Sequence, residues 1–166
     1  MYVTVEDLVR TPQDAGPMDG HLDAAPSVPA APADVAVTRA LMHRPDAAGT
    51  ARAITRAVLG DWHVGQAAAE SVLLVVSELV TNAVEHALPP VVLRLHRDRA
   101  GDQVWVGVTD GGPAQVDGAW TSSCTREEHG RGLAVVEVLT SGHGTRTHPD
   151  GASTHWAVLD IHEEAS

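Results

Sequence analysis

Ser77-Glu78-Leu79-Val80-Thr81-Asn82-Ala83-Val84-Glu85-His86-Ala87 is the stretch whose reading decides the fold. It closes a longer helical pattern that begins near Gly65. In that pattern Val72, Val75, Val76, Leu79, Val80 and Ala83 share one face, and Pro89-Pro90 stop the run. Glu78 and Asn82 stand four residues apart, one turn from each other. At about 100° per residue both fall on the margin of the apolar stripe. A carboxylate and a carboxamide in that place would be half buried and would need compensation. Both offer hard oxygen atoms of the kind Mg²⁺ takes alongside phosphates and water, and a partly desolvated glutamate suits proton abstraction. Spacing alone equally fits an ordinary amphipathic helix with polar edges.

Downstream, Val91-Val92-Leu93-Arg94-Leu95 and Val104-Trp105-Val106-Gly107-Val108 read as the two strands of a hairpin turning near Ala100-Gly101-Asp102. The second strand runs straight into Asp110-Gly111-Gly112-Pro113. An aspartate at a strand end can accept a hydrogen bond from an exocyclic amine such as that of adenine, and glycines allow close backbone approach. The same tetrapeptide also suits a plain turn. Residues 110–129 lack periodicity and read as a long loop, a feature that compact domains usually reserve for function. After it, Gly130-Arg131-Gly132 is expected to open a helix over Leu133–Leu139. Its free N–H groups and the helix dipole would form an anion site, with Arg131 adding charge. A flexible helix start with no ligand reads the same way. Thr145–Thr147, a Pro149-Asp150-Gly151 turn and Thr154–Leu159 form a closing hairpin.

Upstream, Ala53, Ile54, Ala57 and Val58 lie at helical spacing within 46–59, a helix that Gly60 ends, and Val35, Val37 and Leu41 suggest a first strand. Residues 11–33 hold five of the ten prolines, so residues 1–34 are expected to be a flexible Pro/Ala-rich tail and 35–162 the folded domain. Helices mixed with mostly antiparallel strands predict an α/β two-layer sandwich with the helices on one face of the sheet.

Composition narrows the function. The formal charge of −11 and an aromatic content of 3% disfavour nucleic-acid and membrane-surface binding and leave few base-stacking platforms. All 11 basic residues are arginine, which removes the lysine that a P-loop, a eukaryotic-type protein kinase or a Schiff base requires. Phosphates would have to be held by backbone N–H groups, Mg²⁺ and arginine. A single cysteine, Cys124, makes no internal disulfide and no multi-cysteine metal site. No stretch reads as long and apolar enough to cross a bilayer, no signal pattern opens the chain, and a cytoplasmic location is the expectation. His143, His148 and His155 near the closing hairpin lack the spacing of a known metal motif.

Taken together and in order, these segments resemble the bacterial anti-sigma-factor serine kinases, a branch of the GHKL group with the Bergerat ATP-binding fold. Glu78–Ala87 is similar to their N box, Asp110-Gly111-Gly112 to the first glycine box and Gly130-Arg131-Gly132-Leu133 to the second. Thr154 corresponds to the threonine that helps hold adenine. The resemblance spans about residues 45–160. It implies ATP and Mg²⁺ as cofactors, with Glu78 activating the attacking hydroxyl and Asn82 binding the metal. Asp110 and Thr154 would recognise adenine, Gly112 would line the cofactor site, and Gly130, Arg131 and Gly132 would serve the phosphates, with residues 111–132 as a lid. The implied function is an ATP-dependent serine/threonine-protein kinase and anti-sigma-factor-like regulator. It would phosphorylate a STAS-domain antagonist and sequester a sigma factor, and homodimer formation is left open. The alternative is a non-catalytic ATP-binding module that sequesters a protein partner. Two departures favour that alternative: the first glycine box is compressed, without its later glycine, and Glu128 stands where some members carry arginine.

Overall fold

The structure, a computed structural model, describes residues 36–98, 100, 102–114 and 126–161, with the side chains of 126–131 left undescribed. The expected tail, Cys124 and most of the long loop lie outside the described residues. In chain order the elements are β1 (Ala36–Leu41), α1 (Ala47–Asp61), α2 (Gln66–His86), β2 (Val91–Asp98), β3 (Gln103–Asp110), α3 (Arg126–Leu139), β4 (Gly142–Thr147) and β5 (Ser153–Asp160). The strands form one sheet in the order β1-β2-β3-β5-β4, and every neighbouring pair is antiparallel. The helices pack on one face, which makes the chain the expected α+β sandwich.

Strand alternation says which side chains face the helices. Val91, Leu93 and Leu95 of β2, Val104, Val106 and Val108 of β3, and Ala157 and Leu159 of β5 all join the core. Against them α2 lays the predicted stripe, and Val72, Val75, Val76, Leu79, Val80 and Ala83 are all buried. α1 adds Ala47, Ala51 and Leu59, and α3 adds Val136. With no phenylalanine in the chain, valine, leucine and alanine, joined by Trp62, do most of this packing. Burying one Val- or Leu-sized side chain contributes about 1.5–3 kcal/mol, so the α2 stripe is the main bond between the layers.

Two expectations need correction. The last helix begins at Arg126, so Gly130-Arg131-Gly132 lies inside α3 and not at its start. The N–H groups of these three residues are therefore taken up by carbonyls four residues back. Second, α2 is in fact long and apolar enough to cross a bilayer by length and composition. Its stripe is instead buried against the sheet and α1, and Glu70, Glu78 and Glu85 interrupt its other faces.

Candidate active site

α2 carries Glu78 and Asn82 at its edge, both half-buried as their position on the helix predicts. The Glu78 carboxylate lies against Gly132 of α3, so closely that a Cβ on Gly132 would run into Oε2. A glycine is needed there for space: the second glycine segment meets the N-box glutamate through bare backbone. On its other side Glu78 borders an open groove of about 600 Å³ between α1 and α2, lined also by Arg52, Leu73, Leu74, Ser77 and Thr81. Across this groove Arg52 Nη1 donates to Ser77 Oγ at 3.2 Å.

The end of α2 is tied to the first glycine segment by main-chain bonds. Ala114 N donates to His86 O at 2.9 Å, Leu88 N to Gly112 O at 2.8 Å, and Gly111 N to Leu88 O at 2.7 Å. His43 Nε2 approaches Ala87 O at 2.9 Å and engages one of the helix's last carbonyls. Gly112 has φ +91°, and a Cβ there would collide with the Gly151 carbonyl oxygen of the β4–β5 turn. The close approach that these glycines permit is thus first of all to the protein's own backbone. As a result Asp110, at the end of β3, is fixed beside the last turn of the helix that carries Glu78 and Asn82.

Asp110 is 2% exposed. Its Oδ1 accepts from Gly112 N at 2.8 Å, whereas Oδ2 has no hydrogen bond although His155 Nε2 lies 3.2 Å away, out of line. A buried carboxylate oxygen without a donor costs free energy until one arrives, and an exocyclic amine is a fitting donor. Strand parity adds a residue that the sequence reading missed. Ser153 pairs directly with Asp110, is 8% exposed, and shares the helix-side face with Ala157 and Leu159. Thr154 points the other way. Its hydroxyl meets Thr109 Oγ1 at 2.8 Å and His148 Nε2 at 2.7 Å, on the face where Arg94 Nη1 donates to Thr109. The structure therefore brings Glu78 together with Gly132, and Asp110 with Gly112 and Ser153, but leaves Thr154 on the far side of the sheet. Counting twos back from the core residues Leu159 and Ala157 would have found Ser153 in the sequence. Gly130 and Arg131 share α3 with Gly132, and nothing further is described of their surroundings.

The residues present fit an adenine nucleotide at one point above all: the buried, donor-seeking Oδ2 of Asp110. Asn82 is the described side chain on the α2 edge that could reach a metal ion held mainly by phosphates.

Comparison with known proteins gives the family and the fold. Residues 41–155 match the family model described as a histidine kinase-like ATPase domain. Among solved structures, the chain is similar to the RsbU and RsbW domains of Rv1364c from Mycobacterium tuberculosis. The TM-score is 0.62 and the identity 24%, covering 80% of this chain but only 34% of that one. It is also similar to the SiaB–SiaC complex from Pseudomonas aeruginosa, with a TM-score of 0.56 and 13% identity over 74% of this chain and 88% of that one. A sequence comparison with curated proteins gives no match. At these identities the structural likeness speaks for the fold, while the family match covers most of the chain. The chain belongs to the histidine kinase-like ATPase domain family.

Proposed function

We propose that the chain is an ATP-dependent serine/threonine-protein kinase that regulates a small STAS-type protein partner, in the manner of an anti-sigma-factor kinase. The observation that carries this reading is the placement of Glu78. It sits half-buried against Gly132, next to an open groove through which a protein segment can approach. Nucleotide binding alone needs no base at that position. The likeness to an RsbW domain, and to a protein solved as a complex with a second protein, supports a protein partner as substrate.

ATP would supply the phosphoryl group, its bond to the β-bridging oxygen breaking so that ADP leaves, and Mg²⁺ held at Asn82 would neutralise charge that develops there. Asp110 and Ser153 would hold the adenine amine end. Glu78 takes the proton from the substrate hydroxyl as its oxygen attacks. Placement of this kind accounts for most of the catalysis in phosphoryl transfer, which asks little covalent chemistry of the protein.

A second reading rests on a specific observation. With Gly130-Arg131-Gly132 wound into α3, their N–H groups are not offered to phosphates, which suits a module that controls its partner by contact. Mixing the protein with Mg-ATP and a STAS-domain antagonist separates the two. Transfer that Glu78→Ala abolishes while ATP binding persists supports the kinase. ATP binding with no transfer from the wild type removes it and leaves the module.

A further inference from the structure

The imidazole of His155 has no place in the mechanism above, yet it stands at the adenine end of the site. It occupies the helix-side face of β5, two residues from Ser153, and its side chain is 35% exposed. Nδ1 is anchored at 2.9 Å from Thr145 Oγ1 of β4, and Nε2 lies 3.2 Å from the unsatisfied Oδ2 of Asp110. Threonine can donate or accept, so the anchor survives either tautomer and either charge state. What changes is Nε2. A neutral ring can keep its proton on Nδ1, which leaves Oδ2 open to an incoming donor. A charged ring carries a proton on both nitrogens and always presents one on Nε2, 3.2 Å from Oδ2.

We propose that His155 is a positioning and specificity residue for the nucleotide. It competes, when protonated, with the exocyclic amine of adenine for Oδ2 of Asp110. The inference rests on the nucleotide reading of the site and extends it to a residue outside the three motifs. Histidine is the side chain whose charge ordinarily changes between pH 5 and 8, so the competition turns into acid-sensitive ATP affinity. The groups around the ring set its field. β3 presents Asp110 and, in direct register, the apolar Val108, while β4 presents Thr145 and His143, whose Nδ1 lies 3.3 Å from Thr140 Oγ1. The titratable side chains of α2, which packs on the same face, are Glu70, Glu78, Glu85 and His86, of which Glu70 and Glu78 line the groove towards α1, and among the described side chains of α3 only Glu137 is titratable. Among the described residues, Asp110 is the ionisable group within ion-pair distance of the ring.

The test is ATP affinity of the full chain by calorimetry at about pH 8 and about pH 5.5, for wild type, His155→Gln and Asp110→Asn, with folding checked by urea denaturation. The wild type should lose about tenfold in affinity on acidification, and His155→Gln no more than about twofold, since glutamine cannot acquire the charge. ATP's own protonation is common to both proteins and cancels in the comparison. Equal acid sensitivity in wild type and His155→Gln overturns the role of His155 and spares the nucleotide site. Failure of the wild type to bind ATP at either pH overturns both.

Discussion

Gly132→Ala isolates the contact on which the catalytic reading depends. The new methyl would enter the space held by Glu78 Oε2, the mobile end of a half-buried side chain. Two energies then oppose each other. Overpacking costs about 1–3 kcal/mol, and the low end applies because a carboxylate can swing aside where a backbone could not. Within the helix interior, alanine is favoured over glycine by about 1 kcal/mol, and residue 132 lies well inside α3. Stability should therefore change by less than about 1 kcal/mol, which is a few degrees in melting temperature for a domain of this size. Function should respond differently. A base displaced by about 1 Å loses on the order of 10²-fold in rate. Phosphate transfer to the antagonist should thus fall by about two orders of magnitude while ATP affinity and the melting curve stay close to wild type. A variant that transfers phosphate at the wild-type rate would refute the reasoning, for then either Glu78 is no base or its carboxylate does not rest on Gly132 when the reaction runs.

Gly112→Ala should behave in the opposite way. A left-handed φ costs a side chain about 1–2 kcal/mol and the collision with the Gly151 carbonyl about 1–3 more. A loss of about 2–5 kcal/mol in urea denaturation is therefore expected, and one under about 0.5 kcal/mol would contradict the packing described. Ser153→Ala should weaken ATP binding about 2- to 10-fold, the worth of one ordinary hydrogen bond. Thr154→Ala should leave ATP affinity unchanged and lower stability by about 1 kcal/mol, because Thr109 and His148 lose a partner. Reversal of that pair would put the nucleotide on the wrong side of the sheet. Asn82→Ala should abolish the gain in ATP affinity that Mg²⁺ confers and spare metal-free binding, as calorimetry with and without chelator would show.

Much of this architecture was legible because the sequence repeats one physical demand. The α2 stripe is the clearest case: Val72 through Ala83 recur at helical spacing because a helix buried along one side must place apolar groups there, and all six are buried. The β2–β3 hairpin was readable for the same reason at period two. The β4–β5 hairpin was readable from its Pro149-Asp150-Gly151 turn, but the strand order was less visible, since nothing local says that β5 lies beside β3 and leaves the mostly exposed β4 at the edge. α3 shows a different limit. Glycine at 130 and 132 ordinarily punctuates, so the segment read as a helix start. In the folded chain the missing side chain at 132 answers a packing demand from Glu78, 54 positions earlier. Local propensity has no access to such a demand. Thr154 was misplaced for a narrower reason: motif likeness supplies a hydroxyl, while strand parity decides which face it occupies.

The first two turns of α3 therefore separate the two functional readings. If Gly130, Arg131 and Gly132 keep their helical hydrogen bonds when ATP is present, the phosphates meet a helix flank and not a helix end, and the dipole that favours anions at an N-terminus is spent upstream at Arg126. If the phosphates instead draw those N–H groups to themselves, the helix must start later. The nucleotide would then have to favour the unwound state by more than the bonds it replaces, since a ligand shifts an equilibrium only by its differential affinity. Two glycines within three residues lower that cost, because each weakens the helix by about 1 kcal/mol relative to alanine. Unwinding would also move Gly132 relative to the Glu78 carboxylate, so the transfer rate of Gly132→Ala reports which state α3 holds during the reaction. A fall of about 10²-fold places Gly132 against the base as phosphate is transferred, and a wild-type rate places it elsewhere.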